Sequence, residues 1–145
     1  MSGTSNEVWP QGMPTVGQRA ERTRAVLKRD IELFTEISGD RNPLHYDEVA
    51  AKQSRFGEIV VQGGITSAIL NAVVAEDLPG PGTVFLSQDW KFTAPVFIGD
   101  TVTGRAEVLS VHASKPVCHL RMRVTRQDGE VVLEGEAWCY RFLVN

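Results

Sequence analysis

From residue 83 onward, apolar side chains recur at every second position, the period of a strand with one buried face. Val84, Leu86, Gln88, Trp90 and Phe92 are expected on one face of the first strand. Val102, Ala106 and Val108 line the next, and Cys118, Leu120, Met122 and Val124 the third. Val131, Leu133, Ala137 and Cys139 line the fourth. Asp128-Gly129 joins the last two strands and predicts a two-residue hairpin turn. That turn sets Arg123 opposite Glu134 and Arg121 opposite Glu136 on the outer face, and Cys118 opposite Cys139 on the inner one.

Ahead of residue 83 the period changes. Residues 64–76 are apolar on nearly all sides and do not alternate, so they predict a helix enclosed by protein. Pro79-Gly80-Pro81-Gly82 stops it. Ile31, Phe34 and Ile37 lie three apart and Leu33 lies four before Ile37, which predicts a short amphipathic helix. Gly39 ends it, where a left-handed residue is commonly needed. Asp47 is expected to cap a second short helix running through Lys52. Residues 18–28 carry Thr23, Val26 and Leu27 among charges, a pattern compatible with a strand. Residues 1–16, rich in Gly, Ser, Asn and Pro, read as an irregular leader before one domain over 17–145. One enclosed helix followed by four antiparallel strands is an α+β pattern, a curved sheet wrapped on the helix. Pairing sheet edges between two subunits would protect them, so a homodimer is expected.

Composition narrows the class. A chain of 145 residues suits one domain and buries roughly two thirds of its unfolded surface. With 42% hydrophobic and 23% charged residues, it falls outside the disordered and low-complexity classes. No apolar run approaches the roughly 20 residues of a membrane helix. A net charge of −3 gives no nucleic-acid footprint. Two cysteines make neither a disulfide framework nor a four-thiolate site, and no two histidines have metal-ligand spacing. No metal is expected, and Cys118 and Cys139 are expected as free packing thiols. The start, Met-Ser-Gly-Thr-Ser-Asn-Glu, lacks the basic and apolar segments of a secretory signal, so a cytoplasmic protein is expected.

Two segments could carry chemistry. Asp40 and His45 flank the turn Asp40-Arg41-Asn42-Pro43, and a carboxylate and an imidazole brought together across it could share a water for acid–base work. The same residues also make a good turn with no catalytic role, and spacing alone favours that. Gln62-Gly63-Gly64 precedes the enclosed helix, whose first amides lack internal partners and favour negative charge. A glycine loop that merely turns would look alike. His112 and His119 fall in strand regions, His119 on the outer face beside Trp138, and read as structural.

Residues 37–51, Ile-Ser-Gly-Asp-Arg-Asn-Pro-Leu-His-Tyr-Asp-Glu-Val-Ala-Ala, resemble the signature of the MaoC-like dehydratases, the R-specific enoyl-CoA hydratase group. Ile59-Val60-Val61-Gln62-Gly63 and Phe92-Thr93-Ala94-Pro95-Val96-Phe97-Ile98-Gly99-Asp100 extend the resemblance, which spans residues 17–142. It implies a hot-dog fold and (R)-specific hydration of trans-2-enoyl thioesters, or the reverse dehydration, with no metal or redox cofactor. The thioester of coenzyme A or of an acyl-carrier protein is then the substrate. By the same resemblance Asp40 is the base, His45 delivers a proton to the alpha carbon, the amide of Gly63 binds the thioester oxygen, and Asn42 orients the turn or the pair through side-chain hydrogen bonds. Two positions depart from the family: Gln62 stands where histidine is common, and Asn71 where a serine is. Both bear on the substrate pocket, Asn71 by its bulk or by a bond to Asp40. Arg41, Arg55 and Lys91 are candidates for phosphate contacts or plain solvated charges. A hot-dog thioesterase and a non-catalytic acyl-binding subunit are the competing readings.

Overall fold

The structure is a computed structural model that describes residues 5–144 of the chain. Its elements are α1 (Ser5–Val8), β1 (Arg19–Ala25), α2 (Lys28–Ser38), a 3₁₀ turn (Pro43–His45), α3 (Glu48–Gln53), α4 (Gly63–Ala72), β2 (Thr83–Phe92), β3 (Thr101–Val111), β4 (Val117–Arg126) and β5 (Val131–Arg141). A π-helical turn, Val73–Asp77, prolongs α4. The five strands form one antiparallel sheet in the order β1-β3-β4-β5-β2, so β1 and β2 are its edges. Helix α4 lies on the concave face, with Ile65, Ile69, Leu70 and Val73 buried against Val102, Ala106, Leu120, Met122 and Leu133. Gly104 makes that approach possible: a Cβ there would lie 2.7 Å from Ile69 Cγ2. The α+β class and the helix-wrapped sheet expected above are both present.

Helix α2 ends as expected, with Gly39 left-handed at φ 77° and its N–H bonded to the Thr35 carbonyl. Its buried face differs from the expected one. Ile31 and Thr35 are buried and Phe34 half-buried, whereas Leu33 and Ile37 are exposed, Ile37 at 84%. At 100° per residue Ile37 lies roughly 120° round the helix from Ile31, outside the stripe that meets the core. Asp47 caps α3 as expected, accepting from the N–H groups of Val49 and Ala50. Helix α4 is not enclosed all round within one chain, because Ala68 and Asn71 face outward. Residues 1–4 of the expected leader lie outside the described residues. The rest is ordered more than expected: Trp9 is 1% exposed in the core, and the Gly12 N–H bonds the Trp9 carbonyl.

Two bulges modify the expected strand faces. In β2 the register shifts at Leu86, so Phe85 opposes Cys139 while Gln88 opposes Ala137. Phe85, not Val84 or Leu86, therefore shares the inner face with Trp90, and their rings meet edge-on at 6.0 Å. One inserted residue reverses every side chain before it. The Arg126 N–H bonds the Glu130 carbonyl, which closes the β4–β5 turn over three residues, Gln127-Asp128-Gly129, with Gly129 N–H bonded to the Arg126 carbonyl and Gly129 at φ 84°. A bulge at Val132 absorbs the extra residue. Arg123 still opposes Glu134, Arg121 opposes Glu136, and Cys118 opposes Cys139. Val132, fully buried, takes the core place expected for Val131.

On the outer face the expected charge pairs oppose but do not bond each other. Arg121 turns to Glu107 at 3.5 Å, and Glu136 to His119 Nε2 at 3.0 Å. His119 stacks on Trp138 at 4.3 Å. Cys118 and Cys139 are free thiols. Burial pushes them up to about 11 and about 12.

Candidate active site

Between α2 and α3 the chain folds on its own side chains. Asp40 Oδ1 accepts the Asn42 N–H at 3.0 Å, and Asn42 Oδ1 accepts the Leu44 N–H at 3.1 Å. Two successive Asx turns thus draw the backbone round. Pro43 opens the 3₁₀ turn that ends on His45. The result aims His45 back at Asp40, with Nε2 and Asp40 Oδ2 3.5 Å apart. That is longer than a direct hydrogen bond and leaves a gap that one water, at about 2.8 Å from each atom, can bridge. The imidazole is 10% exposed and the carboxylate 37%, so the pair opens to solvent on the carboxylate side.

The far side of the ring is fixed by backbone. His45 Nδ1 lies 2.6 Å from the Val60 carbonyl oxygen, an acceptor only, so Nδ1 carries a proton and donates it there. Nε2 is left for chemistry. Val60 is held in turn: its N–H bonds the Leu44 carbonyl, and it bridges to Phe97. The Val61 N–H bonds the Val96 carbonyl. The segment that orients the imidazole therefore runs directly into α4, where Gly63 is the first helical residue. Gly63 is exposed, and its N–H belongs to the first turn, where no carbonyl of the same helix can reach it. A Cβ on Gly63 would lie 3.0 Å from the Phe92 ring. A groove of about 430 Å³ opens beside it, walled by Arg55, Phe56, Thr66, Phe92 and Pro95.

The structure brings Asp40, His45 and Asn42 together, with Asn42 shaping the turn as expected. It places Gln62 elsewhere. Gln62 is 1% exposed and points away from solvent into α2, where Nε2 donates to Thr35 Oγ1 at 3.0 Å and toward the Ile31 carbonyl at 3.4 Å. It supports the site from behind, and its side chain does not line the groove. Asn71 does not bond Asp40: its Nδ2 turns to the Ala68 carbonyl of its own helix at 3.4 Å, on the exposed side. Of the candidate cations, Arg55 lines the groove, its guanidinium 5.7 Å from the Phe56 ring. No cluster of three or more His, Cys, Asp or Glu could hold a metal ion among the described residues.

Sequence reasoning missed Thr35, Tyr46 and the Val60 carbonyl. Thr35 carried a signal, since it stands one residue after Phe34 on the stripe that Ile31 begins. A backbone acceptor carries none.

Comparison with known proteins gives a consistent answer. A family model described as "MaoC like domain" matches residues 11–129. The (R)-specific enoyl-CoA hydratase of Aeromonas caviae is 34% identical over 122 residues, covering 84% of this chain and 91% of that protein. A 3-hydroxybutyryl-CoA dehydratase of Methylorubrum extorquens is 40% identical over 114 residues, covering 79% of this chain and 72% of that protein. The solved structure of an (R)-hydratase from A. caviae involved in PHA biosynthesis superposes with a TM-score of 0.85 at 32% identity, covering 89% of this chain and 98% of that one.

Proposed function

The chain belongs to the MaoC-like domain family, and from that premise we propose that Asp40 and His45 move the protons of the family reaction. The fold is the hot-dog, and the chain is a hydro-lyase: it hydrates trans-2-enoyl-CoA thioesters to the (R)-3-hydroxyacyl product, or dehydrates in reverse. The observation that carries the residue assignment is the 3.5 Å approach of His45 Nε2 to Asp40 Oδ2, with Nδ1 committed to the Val60 carbonyl.

In the hydration direction, Asp40 as carboxylate takes a proton from the water held between the two side chains. The hydroxide oxygen bonds to the beta carbon, and the double-bond electrons move toward the thioester. Negative charge develops on the thioester oxygen, which the N–H of Gly63 stabilises at the positive end of α4. His45, as imidazolium, releases the Nε2 proton to the alpha carbon. The proton on Asp40 then passes to His45 Nε2 across the gap between them and resets the pair. Only protons and one water move, so this reading assigns no metal and no redox cofactor. The roles belong to a coupled pair, and the pair is the catalytic unit.

The substrate is an acyl thioester of coenzyme A or of an acyl-carrier protein. The active form is a homodimer built on the β2 edge, where Val84, Leu86 and Phe92 are exposed beside unpaired backbone groups. We place the protein in the cytoplasm; no described helix is long and apolar enough to cross a membrane. Incubation with crotonyl-CoA tests the reaction: loss of enoyl absorbance without free thiol is hydration, whereas release of thiol indicates a thioesterase. Acyl-CoA binding with neither change indicates a non-catalytic subunit.

A further inference from the structure

Thr35 lies behind the Asp40–His45 pair and is 3% exposed. Its hydroxyl has one proton and two lone pairs, and all three are used. The proton goes to the Asp40 carbonyl at 2.9 Å, because a carbonyl only accepts. One lone pair then takes the Gln62 amide at 3.0 Å and the other the Tyr46 phenol. Both neighbours of Gln62 Nε2, the Thr35 hydroxyl oxygen and the Ile31 carbonyl, are acceptors, which fixes the orientation of that amide.

The three partners belong to the three separate pieces of the site. Asp40 carries the carboxylate. Tyr46 follows His45 directly in the chain, and Gln62 immediately precedes Gly63. We propose that the Thr35 hydroxyl is a positioning group for the reaction, clamping the carboxylate turn, the imidazole turn and the N-terminus of α4 to one another. None of the three bonds touches the reacting atoms. Each lies within two residues of a group assigned to the chemistry, so loss of the hydroxyl lets those groups drift apart. It also takes the acceptor from the Tyr46 phenol and leaves the buried Gln62 amide only the longer bond to the Ile31 carbonyl.

The proposal rests on the Asp40–His45 reading, and its test separates the two. Steady-state hydration of crotonyl-CoA is measured for Thr35→Val, Thr35→Ser and Asp40→Asn, each shown folded by circular dichroism at the assay temperature. Thr35→Val keeps the shape and removes the hydroxyl; kcat should fall roughly 10- to 100-fold with KM changed by less than about threefold, the signature of misplaced reacting groups. Thr35→Ser restores the hydroxyl and should recover most of the turnover. A folded Thr35→Val with wild-type kcat overturns the clamp, and so does a Thr35→Ser as slow as Thr35→Val. An active Asp40→Asn overturns the underlying reading whatever Thr35 does. Should Thr35→Val not fold, Tyr46→Phe reads the same clamp from a side chain already 41% exposed. Its kcat should fall about three- to tenfold at unchanged KM, and wild-type turnover there overturns the clamp.

Discussion

The Nδ1–H of His45 meets the carbonyl oxygen of Val60 at 2.6 Å, fifteen residues along the chain. That contact settles which ring nitrogen faces Asp40, and it ties the imidazole to the strand-like segment that becomes α4. A side chain in this place thus has two duties. His45→Ala removes both: turnover should fall by at least about 100-fold. Stability should fall by about 1–3 kcal/mol, because the Val60 carbonyl loses its donor in a half-closed site. Enoyl-CoA hydration and urea unfolding measured on one preparation check the two effects together.

Gly63 offers a way to delete one amide while leaving the helix. It is the first residue of α4, and Gln62 before it sits at φ −61° and ψ 144°, a backbone that tolerates a following proline. Gly63→Pro should keep α4 and lower kcat about 100- to 1000-fold, the cost of one lost oxyanion donor. Gly63→Ala keeps the N–H and adds the same Cβ beside Phe92, so it carries the crowding without the loss of the donor. It should stay within about tenfold of the wild type. Equal losses in the two variants would assign the effect to crowding.

Gly64 answers to packing. A Cβ there would lie 2.0 Å from Phe34 Cζ, so the ring of α2 lies directly on the start of α4. Gly64→Ala should destabilise the protein by about 1–3 kcal/mol. Phe34→Leu in the same chain should return part of that loss, and chemical denaturation of the single and double variants reads the coupling.

Asp30 supplies a pH test of stability. Partial burial tends to raise its pKa, but hydrogen bonds from Arg24 and from the Leu27 N–H, together with the Arg24 charge, hold it below the ordinary carboxylate value. A depressed folded pKa means the contribution is present above the unfolded value, about 3.9, and fades as pH falls through the folded one. Asp30→Asn should therefore cost about 0.5–1 kcal/mol near pH 7, and the gap from wild type should close as pH falls through the lowered folded value of Asp30. Urea midpoints across that range measure it.

Much of this was legible because it is local. Gly39 at a helix end, Asp47 before α3 and the Asx-rich turn each act within a few residues, and each folds as its own chemistry dictates. The strand register was legible too, although for a reason only half visible. Asp128-Gly129 suits a two-residue turn and a three-residue one alike, and only the bulge at Val132 reconciles the longer loop with the pairing of Cys118 and Cys139. Leu86 gives no local sign of its bulge, so the inner face of early β2 is misread by alternation. Around the site, the approach of Asp40 and His45 was readable from the family resemblance, whereas their spacing alone favoured a plain turn. The direction of Gln62 and Asn71 was not, because a side chain's aim depends on the neighbour it meets: Thr35 for one, its own helix for the other.

The carboxylate of Asp40 is the group on which the proposed chemistry depends most. Asp40→Asn keeps the shape and can still accept the Asn42 N–H, so the turn should survive while the base is lost. The decisive measurement is kcat for hydration of crotonyl-CoA by folded Asp40→Asn beside the wild type. A fall of at least about 100-fold is predicted, with acyl-CoA binding retained. Turnover within a few-fold of the wild type would mean that the Asp40–His45 pair does not carry the reaction.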